Sequence, residues 1–293
     1  MAKTRLTLAR SEIIEHIEAL PTRIFRLGNL QGMLAANRDQ WRLTQSLTGN
    51  EFIEYLCKRT QLNRVTLSFP SRTEVRFCWG KVSPYEVANS LRPLSYFSHF
   101  SAVHLNQLTE QIPKVLYVNC EQTPKPRSDT VLRQDRVEAA FKRPQRMSRN
   151  VAEYRGYKII LVSGMHTGQL GVVAMKGPGG EDLRVTNIER TLIDIAVRPA
   201  YAGGVFEVLK AYRLAQDRVS TNRLSAMYSQ LDYLYPYHQA IGFYLEKAGV
   251  YSESRIRLME KFPISLDFYL THNVSKSELT YSPRWRLFHP KGL

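Results

Sequence analysis

A change of hydrophobic period between residues 59 and 64 constrains the fold more than any other feature. Before it, apolar residues recur every three or four positions, as on an amphipathic helix, and after it they alternate, as in a strand. The helical part predicts one helix over "SEIIEHIEAL" (11–20), with Ser11 as its N-cap, and another over "LGNLQGMLA" (27–35). A third helix is predicted over "TGNEFIEYLCKRTQL", where Thr48 and Glu51 have the spacing of a capping box.

The alternating part predicts a β-hairpin made of "RVTLSF" and "TEVRFCWG", with Pro70-Ser71-Arg72 as the turn. The apolar positions that alternate with polar ones are Val65, Leu67, Phe69, Val75, Phe77 and Trp79. Three short helices followed by an antiparallel hairpin are the outline of a winged helix-turn-helix. We therefore expect a DNA-binding domain of this type over residues 1–80.

In such a domain the third helix enters the major groove, which requires short polar and basic side chains near its N-terminus. The sequence supplies Arg42, Thr44, Gln45, Ser46, Thr48 and Asn50 there. The first-turn N–H groups of this helix would also favour a phosphate. Further DNA contacts are predicted for Lys58 near the other helix end, Arg72 at the hairpin tip and Arg76 on its second strand. The alternative is that this unit docks a protein or braces the rest of the chain.

The charge of the chain supports a polyanionic partner. The formal net charge is +15, and a strongly cationic surface attracts polyanions without further specificity. Nucleic acid is the leading candidate, ahead of anionic lipid or an acidic protein. The densest basic segment, residues 122–150, carries 8 basic and 3 acidic side chains. It is either a solvated linker or a functional basic surface.

Residues 81–293 predict a larger mixed α/β domain, so we expect the whole chain to belong to the α+β class. Strands are predicted at "KVLYVN", "YKIILVSG", "LGVVAMKG" and "LRVTN", followed by four helices from residue 188. Gly80 and Pro84 favour a domain boundary near 81–84. From about residue 220 we expect a helical extension that ends in the strand "ISLDFYL" and a polar, basic tail.

Motifs of the common enzyme classes are absent from the sequence. It has no GxxxxGK[ST], GxGxxG or GxSxG pattern, and its histidines lack the spacing of a zinc helix. Cys57, Cys78 and Cys120 are far apart, which favours free thiols over a disulfide framework or a zinc site. We therefore predict no catalytic residue, no metal and no cofactor. With no apolar run long enough to cross a membrane and no signal peptide, we expect a cytoplasmic protein without a membrane partner.

The segment "NIERTLIDIAVRPAYAGG" (187–204) concentrates charged residues in one predicted helix. Glu189 and Asp194 would lie about 140° apart around that helix, so they cannot easily share one ligand. Asp194 and Arg198 have the i, i+4 spacing of an ordinary helix pair. A structural helix is therefore favoured over a catalytic one.

The longer segment "RVTNIERTLIDIAVRPAYAGGVFEVLKAY" resembles the signature of the AbiEi family of abortive-infection antitoxins, in which an ERTLxD helix, an RP pair and a Y-x-GG turn follow one another. The segment "SPYEVANSLRPLSYFSHFSAVHLNQLTEQIPKVLYVN" is similar to the family's link between its two domains. The segments "RDQWRL", "FIEYL" and "FPSRTEVRFCWG" are similar to its winged-helix domain. The resemblance covers most of residues 10–215.

This resemblance implies a bacterial antitoxin of a type IV toxin–antitoxin system, encoded beside a nucleotidyltransferase-type toxin. It also implies a repressor that binds inverted repeats in the operator DNA of its own operon, as a possible homodimer on the DNA. The larger domain would counter the toxin without the two proteins having to form a stable complex.

Two other functions stay open at this point. A metal-dependent nuclease would use carboxylates such as Asp182, Glu189 or Asp194. A phage-defence adaptor would use the winged helix to hold another protein.

Overall fold

The computed structural model describes residues 2–126 and 131–293, with side chains described from residue 5 onward. Its N-terminal unit contains the helices α1 (Ala2–Leu8), α2 (Arg10–Glu18), α3 (Leu27–Asn37) and α4 (Gly49–Arg59). The prediction of Ser11 as an N-cap is wrong, because α1 continues almost directly into α2 and Ala9 occupies the cap position without a side-chain bond. The second and third predicted helices correspond to α3 and α4.

Helix α4 begins as the sequence predicts. The Thr48 hydroxyl accepts a hydrogen bond from the Glu51 N–H at 3.2 Å, and the Glu51 carboxylate accepts one from the Thr48 N–H at 2.9 Å. This reciprocal pair satisfies two helix-end donors and fixes the first turn. The helix then buries Phe52, Ile53 and Leu56 against the other helices.

The hairpin forms with a two-residue turn. Strands β1 (Ile24–Phe25), β2 (Leu62–Phe69) and β3 (Arg72–Trp79) make a sheet in the order β1-β3-β2. Phe69 lies opposite Arg72, so only Pro70 and Ser71 form the turn and Arg72 already belongs to β3.

Both faces of this hairpin are covered, which the sequence analysis did not predict. Residues directly opposite each other on antiparallel strands share a face. One face carries Phe77 and Trp79 and packs on the helices. The other carries Leu67, Phe69 and Cys78 and packs on the larger unit. The hairpin therefore joins the two parts of the molecule.

A six-stranded mixed sheet forms the centre of the larger unit, in the order β6-β7-β5-β4-β9-β8. Its strands are β4 (Tyr96–Phe97), β5 (Val115–Glu121), β6 (Val151–Tyr154), β7 (Tyr157–Gly164), β8 (Val172–Lys176) and β9 (Asp182–Thr186). Helices α5 (Pro84–Asn89), α6 (His99–Leu105) and α7 (Gln134–Phe141) accompany it. The strand β6 packs against β2 of the hairpin.

Five helices follow the central sheet along the chain: α8 (Ile188–Val197), α9 (Val205–Leu214), α10 (Thr221–Leu231), α11 (Tyr237–Ala248) and α12 (Glu253–Ile256). The extension is not only helical, because β10 (Phe268–Tyr269), β11 (Leu279–Ser282) and β12 (Leu287–Pro290) form a third sheet. Strand β10 lies within the predicted strand "ISLDFYL", whereas the polar, basic residues after it do not form a free tail, because they contain β11 and β12 and the fully buried Trp285. This mixture of helices and sheets agrees with the predicted α+β class.

Helix α8 and the extension share one hydrophobic core. Leu192 and Ile195 of α8 belong to the same buried cluster as Ile241 and Tyr244 of α11 and Trp285. Residues from 220 onward are thus part of the main structure of the larger unit.

Two buried histidines predict a loss of stability in acid. Burial lowers the pKa of His99 to about 4, with Asp194 opposing the shift, and burial likewise lowers the pKa of His238 to about 4. Each is neutral when folded but takes up a proton when unfolded, below its ordinary pKa of about 6.5. Stability should therefore be unaffected by these groups above pH 6.5 and fall between about pH 6.5 and 4, by up to about 1.4 kcal/mol per pH unit per histidine.

Urea unfolding at several pH values measures this slope. His238 donates from Nε2 to the Pro263 carbonyl at 3.1 Å, so His238→Gln removes a titrating group and keeps a donor at that position. Below pH 6.5 the free energy of unfolding of the variant should fall less steeply with decreasing pH than that of the wild type. Equal slopes for both proteins would mean that His238 does not contribute to the acid sensitivity.

Candidate nucleic-acid interface

The segment that connects α3 to α4 is held in place by buried side chains. Trp41, Leu43 and Leu47 are each at most 5% exposed, and the Trp41 ring stacks on Phe52 of α4 with centroids 6.0 Å apart. The Arg38 guanidinium also donates a hydrogen bond to the Leu47 carbonyl at 3.0 Å. These contacts fix the position of the residues between them.

The polar residues predicted for DNA contact lie in this fixed segment. Arg42, Gln45 and Ser46 are exposed, whereas Thr44 is half-buried and accepts a hydrogen bond from the Ser46 hydroxyl at 3.3 Å. Arg42 has a φ of +52°, in the left-handed region, which is uncommon for a residue with a side chain. The structure thus brings these four residues together immediately before α4.

The N-terminus of α4 is less favourable for a phosphate than the sequence suggests. Thr48 and Asn50 are both exposed, but the Thr48 hydroxyl and N–H are already bonded to Glu51. The backbone N–H and the hydroxyl of Thr48 lower the pKa of Glu51, so this carboxylate stays charged where a phosphate would have to approach. Asn50 is exposed, and its side-chain amide has no hydrogen-bond partner among the described residues.

Lys58 lies on the same exposed side of α4. Its ammonium group is 2.5 Å from the Glu54 carboxylate, and the two side chains are 69% and 64% exposed. An ion pair this exposed contributes little to stability, so Lys58 can exchange Glu54 for a phosphate at small cost.

Arg76 is buried, and the prediction that it contacts DNA is wrong. It is 3% exposed, and its guanidinium donates to the carbonyls of Ser90 at 3.2 Å and Leu91 at 3.0 Å. The register of the two strands explains this burial, because Arg76 lies opposite Val65 on the hairpin face that packs on the larger unit. Its role is to bond the hairpin to the segment that follows α5.

Arg72 lies on that same face and is also engaged. Its Nε atom is 2.7 Å from Glu74, which is also contacted by Arg76 and, at 3.1 Å, by Arg92. Burial opposes ionisation of Glu74, but hydrogen bonds from Arg72 and Arg76 outweigh it and lower the pKa of this carboxyl. With its side chain 33% exposed and committed to Glu74, Arg72 belongs to the junction rather than to a free hairpin tip.

Arg64 is the basic residue that the sequence analysis missed. It is exposed, lies opposite Phe77 on the face that covers the helices, and is close to Cys57 of α4, where its charge opposes the rise that burial causes in the thiol pKa. Three exposed hydroxyl residues continue this side of the hairpin: Thr66, Ser68 and Thr73. The register between β2 and β3 decides which side chains face the helices, and the predicted three-residue turn gave the wrong register.

The basic segment 122–150 is only partly described, since residues 127–130 lie outside the described residues. Its last part, between α7 and β6, is fastened to the fold. The Ser148 N–H donates to the Tyr201 hydroxyl at 2.7 Å, and Arg198 donates to the Arg146 carbonyl at 3.1 Å. The side chains of Lys142, Arg143, Arg146 and Arg149 are exposed. This part is an ordered cationic surface rather than a loose linker.

The carboxylates considered for a nuclease each have a separate cationic partner. Asp182 pairs with Lys176 at the edge of the sheet, at 2.7 Å. Glu189 pairs with Arg223 at 2.9 Å, and Asp194 pairs with Arg190 at 2.7 Å. The predicted pair between Asp194 and Arg198 is therefore wrong. Among the described residues no group of three or more His, Cys, Asp or Glu side chains is placed to hold a metal ion.

Within residues 2–126 and 131–293, no helix has the length and apolar character needed to span a membrane. Cys57, Cys78 and Cys120 are free thiols, as the sequence predicts.

Comparison with known proteins identifies the fold but not the function. No protein-family model matches the chain, and no curated protein matches it. The chain is similar in structure to the RV2827C protein from Mycobacterium tuberculosis, with a TM-score of 0.58 and 14% sequence identity over 96% of this chain and 91% of that one. At this identity the similarity shows a shared fold along nearly the whole chain.

Proposed function

We propose that residues 1–80 form a winged helix-turn-helix that binds duplex DNA, and that the chain is a non-enzymatic antitoxin which represses its own operon. In this proposal α4 is the recognition helix and the hairpin β2–β3 is the wing. Gln45, Ser46 and Asn50 read base edges, while Arg42, Lys58 and Arg64 neutralise phosphates.

The observation that carries the DNA-binding part is the continuity of one polar surface. Strand β2 packs beside α4, so the exposed residues of the helix are near Arg64 and the exposed hydroxyl residues on the same face of the hairpin. The exposed basic residues here are Lys58 of α4 and Arg64 of β2, with Arg42 in the segment that precedes α4, and short neutral polar residues such as Gln45 and Ser68 are exposed in the same elements. Such a mixture suits a groove, where the bases are read in the middle and the phosphates lie at the rims.

Removing two of these charges is expected to reduce the salt dependence of DNA binding. The variant Lys58→Gln/Arg64→Gln should lower the slope of log K against log salt concentration by about 2, at about 0.9 per lost phosphate contact. Fluorescence anisotropy with a labelled promoter duplex of the chain's own operon, between 50 and 300 mM salt, measures this slope. Full-length protein is required because truncation after Gly80 would expose the hairpin face that carries Leu67 and Phe69.

A matched control removes the same charge from another place. Lys247 and Lys261 are exposed residues of the extension, and Lys247→Gln/Lys261→Gln should leave the slope as in the wild type. If both double variants lose slope equally, binding is a property of net charge and not of the α4 surface. If the wild type does not bind the duplex, the DNA-binding proposal fails.

The antitoxin part rests on the resemblance of residues 187–204 and the segments around them. Its test is genetic: the reading frame beside this one should encode a nucleotidyltransferase whose expression stops growth. Co-expression of this chain should restore growth, and Lys58→Gln/Arg64→Gln should restore it equally if the larger domain alone counters the toxin. A neighbouring protein of another class would remove the antitoxin assignment and leave the DNA-binding one intact.

A further inference from the structure

Helix α9 exposes an apolar side that no described part of the chain covers. Its inner side buries Val208 and Tyr212 in the core of the larger unit. On its outer side Phe206 and Leu214 are 48% and 47% exposed, although they are among the larger apolar side chains of the molecule. Exposed apolar groups that share one side of a helix are typical of a contact surface.

The loop before β5 extends this surface. A shallow cavity of about 290 Å³ separates the loop from α9, and its lining residues are Thr109, Glu110, Gln111, Glu207, Lys210, Arg213 and Leu214. The next residue of the loop, Ile112, is 79% exposed. The surface thus combines apolar groups with charges of both signs.

The order of residues along α9 is symmetric about Lys210. Phe206 precedes Lys210 by four residues and Leu214 follows it by four, while Glu207 precedes it by three and Arg213 follows it by three. If a second copy of the helix packed antiparallel about a two-fold axis at Lys210, apolar residues would lie level with apolar residues and the acid level with the cation. A surface used on both partners of a two-fold dimer must be self-complementary in this way.

We propose that the outer side of α9, with the loop 109–112, is the contact between two copies of this chain. The contact is weak in solution, because a helix of this length is only about 15 Å long and a stable interface buries at least about 1,200 Å². Two adjacent binding sites on one DNA molecule would strengthen it by raising the effective concentration of the second copy. The proposal itself rests on α9 and does not depend on DNA binding.

The two Lys210 ammonium groups would approach each other at the axis, but each already pairs with its own Glu207 at 2.7 Å. The closeness of the two copies of residue 210 at the axis gives a direct test. In a Cys57→Ser/Cys120→Ser background, Lys210→Cys would place two thiols beside the axis. A short bis-maleimide should then yield a covalent dimer at tens of micromolar protein without DNA.

Lys247→Cys in the same background is the control, because Lys247 is also exposed but lies on α11. The expected result is at least a tenfold higher dimer yield at 210 than at 247, and a fall to the control level when Leu214→Asp is added. Leu214 is half-exposed, so this change should leave the thermal unfolding temperature almost unchanged, which shows that the protein still folds. Equal yields at both positions, or a yield at 210 that Leu214→Asp does not reduce, would overturn the proposal whether or not the chain binds DNA.

Discussion

Replacing Arg190 with alanine is expected to lower the free energy of unfolding by about 3–5 kcal/mol. Arg190 and Asp194 are 4% and 6% exposed, and the Arg190 Nε atom donates to Asp194 Oδ1 at 2.7 Å. Burial disfavours the charge of Arg190, but the charge of Asp194 outweighs it and raises the arginine pKa. Without the guanidinium the Asp194 carboxylate would stay buried without its cation. Urea unfolding at pH 7 measures the loss.

Arg190 also fixes the loop that follows β7. Its Nη1 atom donates to the Leu170 carbonyl at 2.8 Å and to the Thr167 hydroxyl at 3.2 Å. Thr167 in turn bonds to Glu121 at the end of β5. The alanine variant should therefore also increase hydrogen exchange in residues 165–171.

The exposed pair between Lys210 and Glu207 provides the comparison. Lys210→Ala removes an ion pair of the same 2.7 Å length, but the lysine side chain is 60% exposed, so we expect a loss below about 1 kcal/mol. Replacing the whole ion pair by two apolar side chains, in Arg190→Met/Asp194→Leu, should recover part of the stability that Arg190→Ala loses, because no charge is then left unpaired. A loss below 1 kcal/mol for Arg190→Ala would show that Asp194 finds another partner or is protonated.

The prediction that Asp194 pairs with Arg198 is wrong because α8 ends at Val197, one residue before Arg198. The partner is Arg190, which lies four residues before Asp194 inside the helix. Arg198 precedes Pro199, and a residue before proline avoids the helical region, as its φ of −135° and ψ of 72° show. Counting positions on an ideal helix ignored this local rule.

For the candidate interface, the sequence predicted the features that depend on local patterns. It did not predict the features that depend on contacts between the two units. The capping box of Thr48 and Glu51 depends on residues three apart, so the sequence could locate the start of α4. The burial of Arg76 depends on carbonyls of Ser90 and Leu91, which no local pattern reveals. Alternation predicted that the hairpin has two faces, but not that the second face would also be covered.

The third sheet was predicted only in part, for a related reason. The predicted strand "ISLDFYL" contains β10, but only Phe268 and Tyr269 of it are paired. Their partner β12 runs parallel and lies nearly twenty residues further along the chain, so the pairing depends on a contact that no local pattern reveals. The same holds for Trp285, which follows β11 in a polar segment and yet is fully buried.

Trp285→Ala is expected to cost about 3–5 kcal/mol of stability. The indole is 0% exposed, packs beside α11 in the main core, and donates from Nε1 to the Glu246 carboxylate at 2.7 Å. The loss should appear in the unfolding of the whole larger unit, because this residue shares its core with α8. Chemical unfolding followed by far-UV circular dichroism measures it. A separate early transition that leaves the rest folded would mean that residues 220–293 form an independent unit.

Gly242 of α11 tests the contact between α11 and Trp285. The effect of Gly242→Ala on stability is predicted to have opposite signs with and without the tryptophan. A Cβ atom at Gly242 would overlap the six-membered ring of Trp285, so Gly242→Ala should cost about 1–3 kcal/mol in the wild type. With Trp285→Ala the ring is gone and the methyl group fills vacated space. Alanine is also the better helix former by about 1 kcal/mol. In that background Gly242→Ala should therefore stabilise the protein, and a cost of the same size in both backgrounds would show that the tryptophan is not what requires a glycine there.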